Sequence, residues 1–367
     1  MTRTRSPIAR LIDYGQSPWY DNLTRQLVTG GGLARLMDED GIRGVTSNPT
    51  IFEKAMAAGE GYDEQLIEVV RAGASIEDAY WALVLDDIRH AADVLRPAYD
   101  DLDGADGFVS VEVAPDLGDE TAATIDQVHW LHGQAARPNV FVKIPATLAG
   151  IPAIEQCLAE GISINITLIF SLVRYAQVIE AYFRGLERHA EQGGDLSRVA
   201  SVASFFVSRV DTEADRRLPE GHPLRGKVAV ANAKLAYQLF LEKFTGDRWA
   251  ALEARGARKQ RPLWASTSTK NPAYSDTLYV DELVGRDTVS TLAQASIDAL
   301  RDHGNPQPDT ILRDVDGARR VIDELPAAGI DYDDLTDTLE RDGVGSFTRS
   351  YRDCLASLEK RAAEITG

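Results

Sequence analysis

The stretch PNVFVKIPAT, residues 138–147, sets a lysine inside an apolar run, with Phe141, Val142, Ile144 and Pro145 around Lys143. The chain has eight lysines; Lys54, Lys227, Lys234, Lys243 and Lys360 fall in sequence that reads as helix with a polar face, and Lys259 and Lys270 in polar, loop-like sequence. Lys143 alone interrupts a strand-like run. A buried ammonium costs several kcal/mol and commonly responds by losing its proton more easily. A neutral lysine is a nucleophile. The plain alternative is a lysine at the end of an edge strand, or one paired with a carboxylate, and the surrounding sequence has to decide.

Working outward, β-branched runs alternate with long amphipathic segments. The strand-like runs are SPWYDN (17–22), RGVTSN (43–48), GFVSVEVA (107–114), NVFVKIPA (139–146), GISINITLIF (161–170), RVASVASFFV (198–207), RPLWASTS (261–268) and DTLYVDEL (276–283). Between them lie helical patterns with recognisable ends. Ser75 and Asp78 form a capping-box spacing, Ser171 is an N-cap, and Gly161 is a stop. A long periodic segment runs from Gly226 to Phe244. Near the end, Phe347, Tyr351, Cys354, Leu355, Leu358, Ala362 and Ile365 follow helical spacing. Eight strands alternating with helices predict an α/β fold, a (β/α)8 TIM barrel with additional helices. With no repeat or linker composition, residues 1–367 read as a single domain. The extra length is assigned to an N-terminal helix, paired helices after the second and sixth strands, and a C-terminal helical extension.

Side chains alternate along a strand, so each barrel strand presents one face to the helices and one to the lumen. Val140, Val142 and Ile144 form the outer set of the fourth strand, which turns Lys143 inward with Phe141. In the third strand Val109, Val111 and Val113 face out, and Ser110 and Glu112 face in. In the fifth, Ile164, Ile166 and Leu168 face out, and Asn165 and Thr167 in. Thr46 shares a parity with Asn48, Ser204 with Phe206, and Trp264 with Ser266. Barrel interiors are filled by bulky apolar residues, and polar groups gather at the C-terminal mouth, where active sites lie. A lysine, a glutamate, two asparagines and several hydroxyls converging there favour chemistry. The structural alternative, a buried Lys–Glu pair, is worth little net stability and needs complete hydrogen bonding.

Composition sets limits. A net charge of −18 argues against nucleic acid or an anionic membrane as a partner, and any anionic substrate must be met by local cations. Cys157 and Cys354 sit in amphipathic helical sequence and read as reduced core residues. His129 and His132 share a helix face, but without a third ligand they read as solvated rather than metal-binding. The start, MTRTRSPIAR, has no apolar stretch behind its arginines, and no run has the length of a membrane span, so the expected location is the cytoplasm.

The motifs also resemble a known family, the transaldolases. GVTSNPTIFEKA (44–55) looks like the signature after their second strand, and VFVKIPATLAGIPAIEQCLAEGISINITLIFS (140–171) like their lysine strand and the one that follows. VASFFVSRVD (202–211), SPWYDNLTR (17–25) and LWASTSTKNPAYSDTLYVDELVG (263–285) are similar to the sixth, first and last two strands of the longer bacterial members. The resemblance covers most of residues 8–300 and is looser beyond about 305. It implies a class I aldolase barrel of the pentose phosphate pathway. Such an enzyme moves a dihydroxyacetone unit from sedoheptulose 7-phosphate or fructose 6-phosphate to glyceraldehyde 3-phosphate or erythrose 4-phosphate. The partners implied are small-molecule sugar phosphates, with no metal or organic cofactor; the oligomeric state is left open between monomer and homodimer.

The resemblance also implies roles. Lys143 would form the Schiff base. Glu112, with a water and Thr167, would move protons as it forms and hydrolyses, and Asp21 would deprotonate the donor hydroxyl. Asp13, in an LID stretch, is a rival for Asp21, but reads as part of a leading helix. Asn48 and Asn165 would bind the dihydroxyacetone oxygens, and Ser204 on the sixth strand is counted with the substrate-binding residues; Asn48 is otherwise a turn residue before Pro49. Arg209 and Ser266 match phosphate positions, while for Arg209 the plain alternative is an ion pair with Asp211 or Glu213. In shorter members a serine, one residue and an arginine precede an asparagine, whereas here three residues separate Ser266 from Lys270 and Asn271. Lys270 replaces that arginine, or else the hydroxyls of Ser268 or Thr269 serve. Two other functions stay open: simple cleavage, as in fructose 6-phosphate aldolases, which carry a tyrosine where this chain has Phe206, and a non-catalytic sugar-phosphate-binding barrel.

Overall fold

The quoted stretch is the fourth strand, β4 (Val140–Pro145), of a closed barrel of eight parallel strands arranged in sequence order. The structure is a computed structural model that describes residues 6–59 and 61–366; the first five residues of the charged start lie outside the described residues. The other strands are β1 (Gln16–Tyr20), β2 (Gly44–Thr46), β3 (Phe108–Glu112), β5 (Ile164–Ile169), β6 (Ser201–Phe206), β7 (Arg261–Ala265) and β8 (Thr288–Leu292). The barrel closes where β1 pairs with β8, Ser17 beside Val289 and Tyr20 beside Leu292.

The alternation holds where it matters most. Glu112 lies beside Lys143 in register, and Lys143 beside Asn165. On the opposite parity, Val109, Val111, Val140, Val142, Ile144, Ile164 and Ile166 are buried, as a parallel sheet covered by helices requires. Inside, aromatic rings fill the lumen below the lysine. The rings of Phe108 and Phe141 stack with centroids 4.1 Å apart, Trp19 lies 6.2 Å from Phe141, and the Arg261 guanidinium sits 5.9 Å from the Trp19 ring. Gly44 makes this floor possible, because a Cβ there would come 2.4 Å from the indole of Trp19.

The eighth strand differs from the expectation. DTLYVDEL (276–283) contains a short helix, Leu278–Glu282, and the strand lies later, at Thr288–Leu292. Both runs are short and rich in β-branched or aromatic residues; only pairing with β1 and β7 decides between them. Among the described residues three helices follow β2, Pro49–Ala57, Asp63–Arg71 and Ile76–Asp101, and three follow β6, Ser208–Arg217, Val228–Lys243 and Asp247–Glu253, rather than pairs. The capping box at Ser75 and Asp78 and the N-cap at Ser171 form as expected.

Two parity assignments also change. Trp264 faces the helix layer, edge-on to Phe205, so Leu263 and Ala265 take the lumen side of β7. Leu168 leaves the outer set because β5 breaks register between Ile166 and Ile169, with Leu168 in the left-handed region at φ 58°. The C-terminal helix, Tyr332–Thr366, packs across the mouth side of the barrel against the helix Pro49–Ala57, burying Phe347, Tyr351, Cys354, Leu358 and Ala362. Cys157 and Cys354 are both buried and free, and burial pushes each thiol up to about 12.

Candidate active site

Lys143 is 5% exposed and Glu112 is 7% exposed. Adjacent strands set them side by side, so the ammonium donates to Glu112 Oε2 at 3.1 Å and to the Ser47 carbonyl at 3.1 Å. An ammonium has three donors and a carboxylate about four acceptor sites. Among the described residues only those two bonds serve Lys143 and only one serves Glu112. The complete hydrogen bonding that a structural pair needs is therefore lacking. Burial raises the Glu112 carboxyl above the ordinary carboxylate range, while the Lys143 and Arg209 charges pull it back. A carboxyl held in that balance can pass protons to and from its neighbour.

Lys143 opens onto a cavity of about 120 Å³ at the C-terminal mouth, lined also by Asp21, Thr46, Asn48, Thr167, Ser204, Arg209, Ser266 and Lys270. Asp21 follows β1 directly and accepts a 2.6 Å hydrogen bond from Thr46 Oγ1. Its rival Asp13 is exposed on the leading helix Arg10–Asp13 and does not line the cavity. Asn48 is the N-cap of the helix Pro49–Ala57, its Oδ1 accepting from the Ile51 amide. Its carbonyl end thus caps the helix while the residue lines the cavity. Thr167 Oγ1 is buried without a hydrogen-bond partner among the described residues. Asn165 is fully buried behind Lys143, its Nδ2 donating to Ser110 Oγ and its Oδ1 accepting from Ser204 Oγ, and it does not line the cavity.

The other end of the cavity is cationic. Val207 and Ser208 donate their amides to the carbonyls of Ala265 and Ser266, which fixes the start of the helix Ser208–Arg217 at the mouth and puts Arg209 in its first turn. Neither acid offered as a plain partner reaches Arg209. Asp211 accepts from Tyr279 Oη and the Ala229 amide, and Glu213 is taken by Arg216 and Arg217. Among the described residues no carboxylate forms a salt bridge with Arg209; instead its guanidinium lies 5.1 Å from the Phe206 ring and 5.7 Å from the Phe347 ring. Burial depresses it from the usual arginine range, opposed by Asp21 and Glu112. Ser266 stands at φ 57°, which turns the chain after β7 and brings its Oγ within 2.8 Å of Ser208 Oγ. Lys270 lines the cavity and is exposed, while Ser268 Oγ meets Ser296 Oγ at 2.9 Å.

Sequence reasoning missed the Ser47 carbonyl, Thr46 as the donor to Asp21, and Phe347. Thr46 was legible in the parity of β2. Phe347 was not, because nothing in a helical periodicity says which barrel end the helix crosses. A larger groove of about 490 Å³ lies between the helices Val228–Lys243 and Val315–Asp323, but its Lys234 is committed to Glu282 and to the Arg313 carbonyl. Among the described residues no group of three or more His, Cys, Asp and Glu is arranged to hold a metal ion, and His129 meets Glu160 on an exposed face. No described helix is long and apolar enough to cross a membrane.

The chain is similar to known proteins over nearly its whole length. The sequence model of the family described as Transaldolase/Fructose-6-phosphate aldolase matches residues 18–358. A protein named Transaldolase from Acidothermus cellulolyticus is 51% identical over 358 residues, covering 96% of each chain. Another, from Thermobifida fusca, is 48% identical over 366 residues, covering 98% of this chain and 100% of its own. A third, from Mycolicibacterium paratuberculosis, is 48% identical over 367 residues, covering 98% of each.

Proposed function

The chain belongs to the transaldolase/fructose-6-phosphate aldolase family and is an enzyme of transaldolase type, and we propose that it transfers a dihydroxyacetone unit between sugar phosphates through a Schiff base on Lys143. The observation that carries this reading is the lysine itself: nearly buried, 3.1 Å from a carboxylate, on the wall of a cavity whose other end holds an arginine with no acid partner among the described residues.

The chemistry follows from those positions. Lys143 passes a proton to Glu112 and its amine then adds to the ketone carbon of sedoheptulose 7-phosphate or fructose 6-phosphate, and the oxygen leaves as water, with Glu112 and the Thr167 hydroxyl carrying protons. Asp21 takes the proton of the hydroxyl two carbons from the iminium. The bond joining that hydroxyl's carbon to the carbon next to the iminium breaks, an aldehyde leaves, and the bonding pair moves toward the iminium to give an enamine. The enamine carbon then attacks the acceptor aldehyde, glyceraldehyde 3-phosphate or erythrose 4-phosphate, which recovers a proton from Asp21, and water hydrolyses the new iminium. Asn48 supports the dihydroxyacetone oxygens. Asn165 and Ser204 act in our reading as the hydrogen-bonded backing of the lysine strand. Arg209, Ser266 and Lys270 receive the phosphate beside the amino end of the helix Ser208–Arg217, whose positive dipole end favours an anion. The whole chain works as one domain, in the cytoplasm where phosphorylated sugars are retained.

Phe206 brings no hydroxyl to the cavity, which favours transfer over release of free dihydroxyacetone. Fructose 6-phosphate and erythrose 4-phosphate supplied together should give sedoheptulose 7-phosphate. Fructose 6-phosphate alone should release little dihydroxyacetone. Sustained release without an acceptor would make the enzyme a simple aldolase, and absence of both products would favour a binding protein.

A further inference from the structure

Arg209 is mostly buried yet meets no carboxylate among the described residues, and two aromatic rings touch it instead. One ring, Phe206, comes from β6 beside it. The other, Phe347, is 3% exposed, lines the same cavity, and arrives from the far end of the chain on the C-terminal helix. That helix comes close at a second point on the same face. Gly343 lies one turn before Phe347, and a Cβ there would stand 2.9 Å from Leu168 Cδ2 and 3.6 Å from Arg209 Nη1. Leu168 is the left-handed residue where β5 breaks register, so the strand's irregular end and the helix's bare spot meet beside the guanidinium.

We propose that Phe347 is a positioning residue for the reaction, holding Arg209 with Phe206 in a two-ring clamp that aims the guanidinium at the substrate phosphate. The proposal rests on Arg209 being the phosphate ligand. The usual way to fix a buried arginine is a carboxylate, but a carboxylate occupies the N–H donors and repels a phosphate. Ring faces attract the cation through their quadrupole and leave those donors free. The clamp therefore fixes the side chain without competing for its ligand. It also makes the C-terminal helix part of the phosphate site.

The test compares Phe347→Leu and Phe347→Met with Phe347→Tyr, using erythrose 4-phosphate and unphosphorylated glyceraldehyde as acceptors at saturating donor. Circular dichroism melting confirms that each variant is folded; two apolar replacements are used so that one poor packer does not decide the matter. Leu and Met should raise KM for erythrose 4-phosphate by about five-fold or more, with kcat changed much less, and glyceraldehyde kinetics should stay as they were. Tyr, which keeps a ring face, should restore KM. In an Arg209→Ala background the Phe347 replacements should add nothing. The proposal is overturned if KM for both acceptors rises together, or if Phe347→Leu raises KM equally with and without Arg209. Should Arg209→Ala alone leave KM unchanged, the phosphate role of Arg209 fails first, and the clamp with it.

Discussion

Lys143 donates to Glu112 and to the Ser47 carbonyl and still borders the cavity, an arrangement that a purely structural pair would not leave open. Replacing a buried ion pair by apolar residues is often neutral or stabilising by about 1–4 kcal/mol. The double variant Lys143→Met with Glu112→Leu should therefore melt at or above the temperature of the parent while having no transfer activity. A large fall in melting temperature would mean that the pair is kept for stability. Lys143→Arg should also fold and be inactive, because a guanidinium stays protonated and cannot add to a ketone. At this scale most of the site could be read in advance. Strand parity alone put Lys143, Glu112 and Thr167 on one face, and register pairing now sets Glu112 beside Lys143. Arg209 was placed by its motif, and its freedom from Glu213 follows helical spacing, with Arg216 and Arg217 three and four residues on, but its freedom from Asp211 depends on Tyr279 drawing that acid away, a contact that no local spacing reveals.

The helix Ser208–Arg217 shows how an element holds a residue in place. Burial raises its Asp211 carboxyl to about 6, although bonds from the Ala229 amide and Tyr279 oppose the shift. A carboxyl that is more basic in the folded state than in the unfolded chain binds its proton more tightly when folded. Its stabilising contribution is present below the unfolded value of 3.8 and is lost as pH rises through about 6. Asp211→Asn can keep both hydrogen bonds and removes the titration. Relative to that variant, the parent should lose about 2 kcal/mol of stability between pH 4 and pH 6. Denaturant melts at several pH values measure this, and a difference independent of pH would show that Asp211 is not so perturbed. Elements were also where sequence reading failed. DTLYVDEL and the real β8 both offer short β-branched runs, and the choice falls to partners in β1 and β7. The turn at Ser266 and the break at Leu168 depend on left-handed backbones at non-glycine residues, which sequence seldom signals.

For the whole molecule, a net charge of −18 makes the Arg209 end of the cavity a local exception. Arg209→Ala should raise KM for phosphorylated acceptors sharply, weaken discrimination against unphosphorylated ones, and leave the melting temperature nearly unchanged. An unaltered KM with lower stability would make Arg209 structural and move the anion site to Ser266 and Lys270. In the proposed mechanism an iminium accepts the electrons of the broken bond, so transfer activity should survive exhaustive chelation with EDTA. Loss on chelation with recovery on adding a divalent ion would contradict that chemistry. The barrel itself was legible from the alternation of strand-like and helical sequence. The passage of the C-terminal helix across the mouth was not, because that periodicity marks a buried face without saying what it covers.

The central claim is that one lysine among eight becomes covalently joined to the substrate. Incubation with fructose 6-phosphate, reduction with borohydride and mass analysis of the digested protein tests it directly. The account predicts a dihydroxyacetone-derived mass on the peptide containing Lys143 and on no other. A label on a different lysine, or no label from an enzyme that still transfers, would contradict it.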